Sequence, residues 1–273
     1  MNRPPGLSRQ TLISPAALAG RVAASGKLLL MTDYDGTLVP LASAPERAVP
    51  DKDLLPLLAR LAQKPRCVLA VLSGRRLEDL ALLLPVPGIY LAGVHGAAVL
   101  KPDGQTVSLL NRKEPSLTGT LRRLERLARE TVAGRPGFLV ENKSYALAIH
   151  FRNAAADEAE KVLAAFLQNG ENLLSGAGLE LLRGKKVVEV RPKGLHKGNA
   201  VKWLRHRFPG RTAVFLGDDT TDEDAFAEIE SGFCVLVSEE PRQSRADLRL
   251  KSPAEVRLFL EALAALLPDD APP

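Results

Sequence analysis

Two cysteines in 273 residues, Cys67 and Cys234, are too few and too isolated for a disulfide framework or a thiolate metal site. Each sits in an apolar run (CVLAVL, CVLV) that suits a buried, reduced thiol. Aromatic residues make up only 4% of the chain, so there is no stacking platform for single-stranded nucleic acid. No apolar stretch approaches the ~20 residues that cross a bilayer, so a membrane span is not expected. Helix-turn-helix, zinc, internal-repeat and low-complexity patterns are also missing. The N-terminal stretch MNRPPGLSRQTLISPAALAG has scattered basic residues but no continuous apolar core ending in a small-residue cleavage site. A secretory leader is therefore not expected, and a cytoplasmic location is.

The chain does have material for a core. Hydrophobic residues are 45% of the total, and the length allows one large domain or two modest ones. Lys and Arg number 37 against 32 Asp and Glu, a net charge of +5. A pI near 9.3 raises nucleic-acid binding as a question. Because the positive charge is spread along the whole chain, a small anionic substrate fits with fewer assumptions. Neither nucleic acid nor membrane is expected as a partner.

Apolar runs alternate with amphipathic segments in the order of a mostly parallel α/β sheet. KLLLMTD (27–33), CVLAVLSG (67–74), IYLAGVHG (89–96), TAVFLGDD (212–219) and FCVLVS (233–238) are short, continuously apolar and closed by Gly, Asp or Ser. Such runs suit central strands buried on both faces. Helical spacing fills DKDLLPLLARLAQ, GNAVKWLRHRF, DEDAFAEIE and SPAEVRLFLEALAALL. Polar clusters then fall at strand ends, where ligands bind in such sheets. The middle third changes character. Pro102-Asp103-Gly104 marks a tight turn, and a helical stretch, SLTGTLRRLERLARETV, follows. FLVENKSYALAIHFR with a turn near Asn142–Ser144, a helix AADEAEKVLAAFLQ, and LELLRGKKVVEVRP with a turn at Gly184 complete an α, hairpin, α, hairpin block. The expected organisation is a core from residues 1–111 and 191–273, interrupted by a smaller α/β domain over 112–190.

The strongest chemical signal is Asp33-Tyr34-Asp35-Gly36-Thr37-Leu38 at the end of the first core strand. In extended backbone, residues i and i+2 point the same way, so Asp33 and Asp35 can meet one reacting group. Gly36 lets the chain leave the strand at once, and Thr37 adds a hydroxyl and an N–H. The same letters also occur in common turns and calcium loops. The second signal is Gly217-Asp218-Asp219-Thr220-Thr221-Asp222-Glu223-Asp224, acids crowded behind a buried strand. At about 4 Å and an effective dielectric near 20, each like-charge pair costs about 4 kcal/mol, so a cation is expected there. Oxygen donors with no His or Cys nearby favour Mg²⁺ over zinc, with Asp218 ahead of Asp219 and Asp222 as ligand. Glu223 and Asp224 are left to the helix, where Thr220 with Glu223 spells a capping box.

Two further pieces are weak alone. Leu72-Ser73-Gly74-Arg75 puts a hydroxyl and a free N–H at a strand end, as an anion site or an ordinary cap would. Lys197, in KGLHKG, opens a helix, where a cation opposes the dipole and so points to a nearby anion.

In the order DxDGT, SGR, Lys, GDDxTDE, these pieces resemble the haloacid-dehalogenase superfamily of aspartyl-phosphate phosphatases from Asp33 to Asp224. Within it the words AGVHGA (92–97), ENKSYALAIHFR (141–152), VVEVRPKGLHKG (187–198) and GDDTTDEDAF (217–226) are similar to the trehalose-6-phosphate phosphatases. The resemblance implies a Rossmann-like core with an inserted α/β cap that sets specificity, trehalose 6-phosphate as substrate, and Mg²⁺ as cofactor. It also implies a monomer working beside a separate trehalose-6-phosphate synthase.

Residue by residue, the resemblance makes Asp33 the nucleophile, Asp35 the acid and then base, and Ser73 and Lys197 the holders of the phosphoryl oxygens. It gives Mg²⁺ to Asp33, Asp218 and the Asp35 carbonyl, with Asp219 and Asp222 as further candidates. Substrate contacts fall to Thr37, Gly74, Arg75, His95, Gly96 and Arg191, and to Glu141, Lys143 and Glu189 over the distal glucose. His150 and Arg152 lie in the same words. From the residues alone, Glu141-Asn142-Lys143 is also a plain polar turn, His95 a loop residue, and Trp203 core rather than sugar platform. Other sugar-phosphate phosphatases (sucrose 6-phosphate, mannosyl-3-phosphoglycerate), a hexose phosphomutase, an inactive sugar-phosphate sensor and a basic nucleic-acid binder stay open as alternatives.

Overall fold

The structure, a computed structural model, describes residues 10–42, 45–110, 115–176, 178–184 and 186–270. Two compact units divide it, one running to Leu109 and resuming at His196, the other Leu110–Leu195.

The first unit begins with β1 (Thr11–Leu12) and α1 (Pro15–Ala23), which Ser14 caps from its side chain with Pro15 in the first turn. Then come β2 (Leu28–Asp33), α2 (Leu54–Ala62), β3 (Cys67–Leu72), α3 (Leu77–Leu83), β4 (Tyr90–Gly93), β5 (Ala98–Leu100) and β6 (Thr106–Ser108). The second unit supplies α4 (Pro115–Val132), β7 (Leu139–Asn142), β8 (Leu147–His150), α5 (Ala156–Gly176), β9 (Leu179–Gly184) and β10 (Val187–Pro192). The first unit resumes with α6 (Lys197–Arg207), β11 (Thr212–Gly217), α7 (Glu223–Ala227), β12 (Gly232–Val237), β13 (Leu248–Leu250) and α8 (Pro253–Leu266).

The larger sheet has nine strands in the order β1-β13-β12-β11-β2-β3-β4-β5-β6, parallel from β1 to β4 and antiparallel over β5 and β6. Every residue of β2 is buried, which explains its apolar letters from Leu28 to Met31 before Thr32 and Asp33. Leu29, Met31, Leu72, Phe215 and Leu236 pack with Val201 and Leu204 of α6 and Phe226 of α7. Trp203 packs partly buried against this cluster and lies 6.3 Å from the Tyr90 ring, a core role. Register decides where the chemistry sits. Asp33 pairs with Leu72, Leu72 with Ala92, and Thr32 with Leu216, so β2, β3, β4 and β11 all end at one edge. The segments following them emerge there together.

The smaller sheet is antiparallel, β7-β8-β10-β9. One face buries Val140, Leu147, Ile149, Val188 and Val190 against Leu121 and Leu124 of α4 and Leu163 and Phe166 of α5. The alternate residues carry charge: Glu141 pairs with Ala148, which pairs with Glu189.

One local expectation is corrected. The helix after β11 does not start with a Thr220/Glu223 capping box. Asp219 caps from one residue earlier, accepting from the Thr220 N–H, while Asp222 accepts from the Asp219 N–H. A 3₁₀ turn at Thr220–Asp222 tightens the entry, so the box shifts by one position. Among the described residues, no helix is long and apolar enough to cross a membrane.

Candidate active site

Asp33 closes β2 with 4% of its surface exposed, and Lys197, at 2%, opens α6 beside it. Lys197 Nζ donates to Asp33 Oδ1 at 2.7 Å and to Asp222 Oδ1 at 2.8 Å. The unfavourable place of a lysine at a helix start is thus answered by two buried carboxylates. Burial would lower the Lys197 ammonium, but Asp222 and Asp33 outweigh it and hold it above its ordinary value. Burial pushes Asp33 well up; Lys197 opposes this, and Asp222 and Asp218 add to it.

Asp218 comes in from β11. Burial, with the charge of Asp222 behind it, raises its carboxyl to about 6. Thr37 Oγ1 donates to its Oδ1 at 3.3 Å. Gly36, at φ +82°, stands so close that a β-carbon would overlap the Asp218 carboxylate. A side chain at residue 217 would likewise run into Asp222. One oxygen from each of Asp33, Asp218 and Asp222 lies within 4.8 Å of the others. These hard oxygen donors carry more negative charge than Lys197 offsets, so the donor set fits a divalent cation.

Ser73 follows β3, 1% exposed, and its Oγ accepts from the Arg75 N–H at 3.1 Å. Arg75 forks onto Asp35, Nε to Oδ2 and Nη2 to Oδ1, both 2.7 Å. Its guanidinium also lies 5.2 Å from the Tyr34 ring centre. Tyr34 is anchored by its own hydroxyl, which donates to the Ala48 carbonyl at 3.0 Å, and burial pushes that hydroxyl up to about 12. Past β4, Val94, His95 and Gly96 have φ of 47°, 53° and 90°. The His95 ring lies over Gly74, where a β-carbon would stand 2.6 Å from its Cε1.

In the second unit the charged face of the small sheet is paired. Lys143 Nζ donates to Glu189 Oε2 (2.7 Å), Arg191 Nε to Glu180 Oε1 (2.8 Å), and His150 Nε2 lies 2.8 Å from Glu141 Oε2. Lys143, Glu189 and Arg191 are all buried. Burial would raise Glu141, but the His150 hydrogen bond and the Lys143 charge hold it below its ordinary value.

Residues 31–254 match the trehalose-phosphatase family. The chain belongs to that family. As one member of it, the chain is 37% identical over 251 residues to a bifunctional trehalose-6-phosphate synthase/phosphatase of Thermoproteus tenax, covering 92% of this chain and 34% of that protein. It is 35% identical over 277 residues to a trehalose-phosphate phosphatase of Mycobacterium avium, covering 97% of this chain and 68% of that one. The C-terminal domain of a Candida albicans trehalose-6-phosphate phosphatase has the same fold, with a TM-score of 0.81 at 24% identity over 95% of this chain and 99% of that domain. This family member spans about a third of the length of the Thermoproteus tenax relative and about two thirds of the Mycobacterium avium one.

Within this family member the structure brings Asp33, Asp218, Asp222 and Lys197 into one cluster, with Thr37 touching Asp218. It places Asp35 on Arg75 and Asp219 on the surface, capping Thr220. Arg242 was not foreseen. Its Nη2 donates to the Asp218 carbonyl at 3.2 Å, and its backbone N–H donates to Gln10 Oε1 at 3.3 Å. Nothing in the letters EEPRQSR marks that arginine. Glu180 and Glu125, which hold Arg191 and Asn142, were equally unmarked.

Proposed function

We propose that this chain hydrolyses trehalose 6-phosphate to trehalose and phosphate with Mg²⁺ as cofactor. Asp33 Oδ attacks phosphorus, and the bond from phosphorus to the sugar oxygen breaks. Asp35 delivers a proton to that leaving oxygen. Asp35 then takes a proton from water, whose oxygen attacks the aspartyl-phosphate, releasing phosphate and restoring Asp33. Ser73 and Lys197 hold the phosphoryl oxygens, and Arg75 keeps the Asp35 carboxylate at the strand end.

Asp33, Asp218 and Asp222, with the Asp35 carbonyl, would hold Mg²⁺. Bound there, the ion supplies positive charge against the repulsion between a carboxylate nucleophile and a phosphate dianion. Asp219, exposed and turned to its own helix, is left out of that set. In this reading residues 1–111 and 191–273 are the catalytic core and 112–190 set specificity, with the sugar hydroxyls going to Glu141, Lys143 and Glu189. Arg191 adds a donor there, since its buried Nη1 has no hydrogen-bond partner among the described residues. The setting is a cytoplasmic monomer fed by a trehalose-6-phosphate synthase, an activity that the Thermoproteus tenax relative's name joins to the phosphatase.

The observation that carries the reading is the buried Asp33–Lys197–Asp222 array at the strand edge of a trehalose-phosphatase family member. Phosphate release from a panel of sugar phosphates, with and without Mg²⁺, tests it. Metal-dependent release selective for trehalose 6-phosphate is expected. Equal rates on glucose, sucrose and trehalose 6-phosphates would overturn the substrate assignment, and no release from any would overturn the activity.

A further inference from the structure

Val94, His95 and Gly96 form one turn of left-handed backbone, a conformation in which any β-carbon crowds the following carbonyl and a β-branched side chain does so most. Surface turns of this kind are built from Gly or Asn. Here the strained residues are a valine 3% exposed and a histidine 7% exposed, so the surroundings impose the shape. Those surroundings are two segments of the site. Toward β3, the Val94 N–H donates to the Arg75 carbonyl at 2.7 Å and the His95 N–H to the Ser73 carbonyl at 3.0 Å, while the Ser73 N–H donates back to Ala92 at 2.9 Å. The His95 ring covers Gly74, which has no room for a methyl. Toward α6, a β-carbon on Gly96 would stand 3.1 Å from the His196 carbonyl and 3.2 Å from Ala200 Cβ. His196 is the residue before Lys197.

We infer that Val94-His95-Gly96 is a positioning turn, with His95 its key residue, that sets the spacing between the Ser73-Gly74-Arg75 segment and Lys197 and so shapes the phosphoryl site. This rests on the phosphatase reading above and changes one part of it. His95 and Gly96 act on phosphate through Ser73 and Lys197, and on Asp35 through Arg75, and do not touch sugar. A fault in the turn therefore damages binding of the group common to all substrates, and does so without regard to the alcohol.

His95→Asn keeps a residue that tolerates the left-handed region but removes the ring, and His95→Gly serves if the first variant does not fold. Gly74→Ala sets a methyl 2.6 Å from His95 Cε1 in the wild-type background only. The full chain is titrated with inorganic phosphate in a calorimeter in the presence of Mg²⁺, and kcat/KM is measured on trehalose 6-phosphate and p-nitrophenyl phosphate. His95→Asn is expected to weaken phosphate binding about tenfold and to lower kcat/KM alike on both esters, with melting temperature preserved. Gly74→Ala is expected to cost less in the His95→Asn background than in wild type, because the colliding ring is gone. Unchanged phosphate affinity in His95→Asn, a loss confined to the sugar ester, or equal costs of Gly74→Ala in both backgrounds would each overturn the turn's role. Wild-type turnover of trehalose 6-phosphate tests the phosphatase reading separately, and the calorimetric comparison holds whichever way that falls.

Discussion

The two polar regions differ in how their charges balance. At the edge of the large sheet, Asp33, Asp218 and Asp222 crowd around the single ammonium of Lys197, and burial drives both Asp33 and Asp218 upward. On the small sheet each acid has its own base: Glu189 with Lys143, Glu141 with His150, Glu180 with Arg191. An unbalanced cluster is incomplete without a charged ligand. A paired one offers directional donors and acceptors with little net charge, which suits neutral hydroxyls. In the proposed function the same residue types serve ionic chemistry in one unit and polar recognition in the other.

The sharpest way to break that contrast is Asp33→Asn, which removes the proposed nucleophile and keeps the shape. Turnover of every phosphate ester is expected to fall by about 10⁴-fold or more, with unchanged circular dichroism. Residual activity within about tenfold of wild type would remove Asp33 from its role. Asp35→Asn comes next and differs in kind, because the nucleophile survives while hydrolysis loses a contribution of ~10²–10⁴-fold. An aryl phosphate with an acidic leaving group should give a stoichiometric burst and a hydroxylamine-sensitive adduct, then stall, as read by rapid quench and intact mass. A burst in Asp33→Asn and none in Asp35→Asn would mean that the two aspartates are reversed.

The charge imbalance itself has a pH signature. Asp218 sits at about 6 when folded against an ordinary carboxyl near 3.8, so the metal-free folded chain holds a proton that the unfolded chain gives up. Stability from this group is full below the unfolded value and is lost as pH rises through about 6. A shift of two units amounts to about 3 kcal/mol. Thermal melts between pH 4 and 8 should show the metal-free chain losing stability across that window and Mg²⁺ restoring it above. Melts that are flat with pH in both conditions would remove the imbalance. The smallest effect belongs to the paired region. Glu141→Ala, Lys143→Ala and Glu189→Ala should each cost about ten- to a hundredfold in kcat/KM on trehalose 6-phosphate and leave a small aryl phosphate almost untouched. Equal losses on both substrates would move these residues into the catalytic machinery or into stability.

The strands that build the edge were legible because burial on both faces leaves no charged letter until the strand ends: LLLMT closes on Asp33, CVLAVL on Ser73, TAVFLG on Asp218. The hairpins of the small sheet were legible from their turns. The short strands Thr11–Leu12 and Leu248–Leu250 were not, being too brief to show a period. Within the site, the carboxylates and Lys197 stood out because their charge was misplaced for burial or for a helix start. Arg242 and the left-handed valine did not. A partner made of a backbone carbonyl has no letter, and backbone strain at a residue other than glycine leaves no compositional trace.

The gap at Gly36 has a consequence for how the molecule is made. Thr37 and Asp218, which meet there, are 181 positions apart, and Asp33 is 164 positions from Lys197. At about 5–20 residues per second, β2 waits roughly 10–40 s on the ribosome for β11, the neighbour that covers its second edge. Residues Leu110–Leu195 are contiguous and emerge within that interval, so the smaller sheet can close while the larger one still has the backbone edge of Leu28–Thr32 unpaired. Biogenesis is therefore most exposed to mispairing in that interval. The Asp33–Lys197–Asp218 cluster cannot close before β11 is made, when Asp218 meets a glycine that leaves room for it.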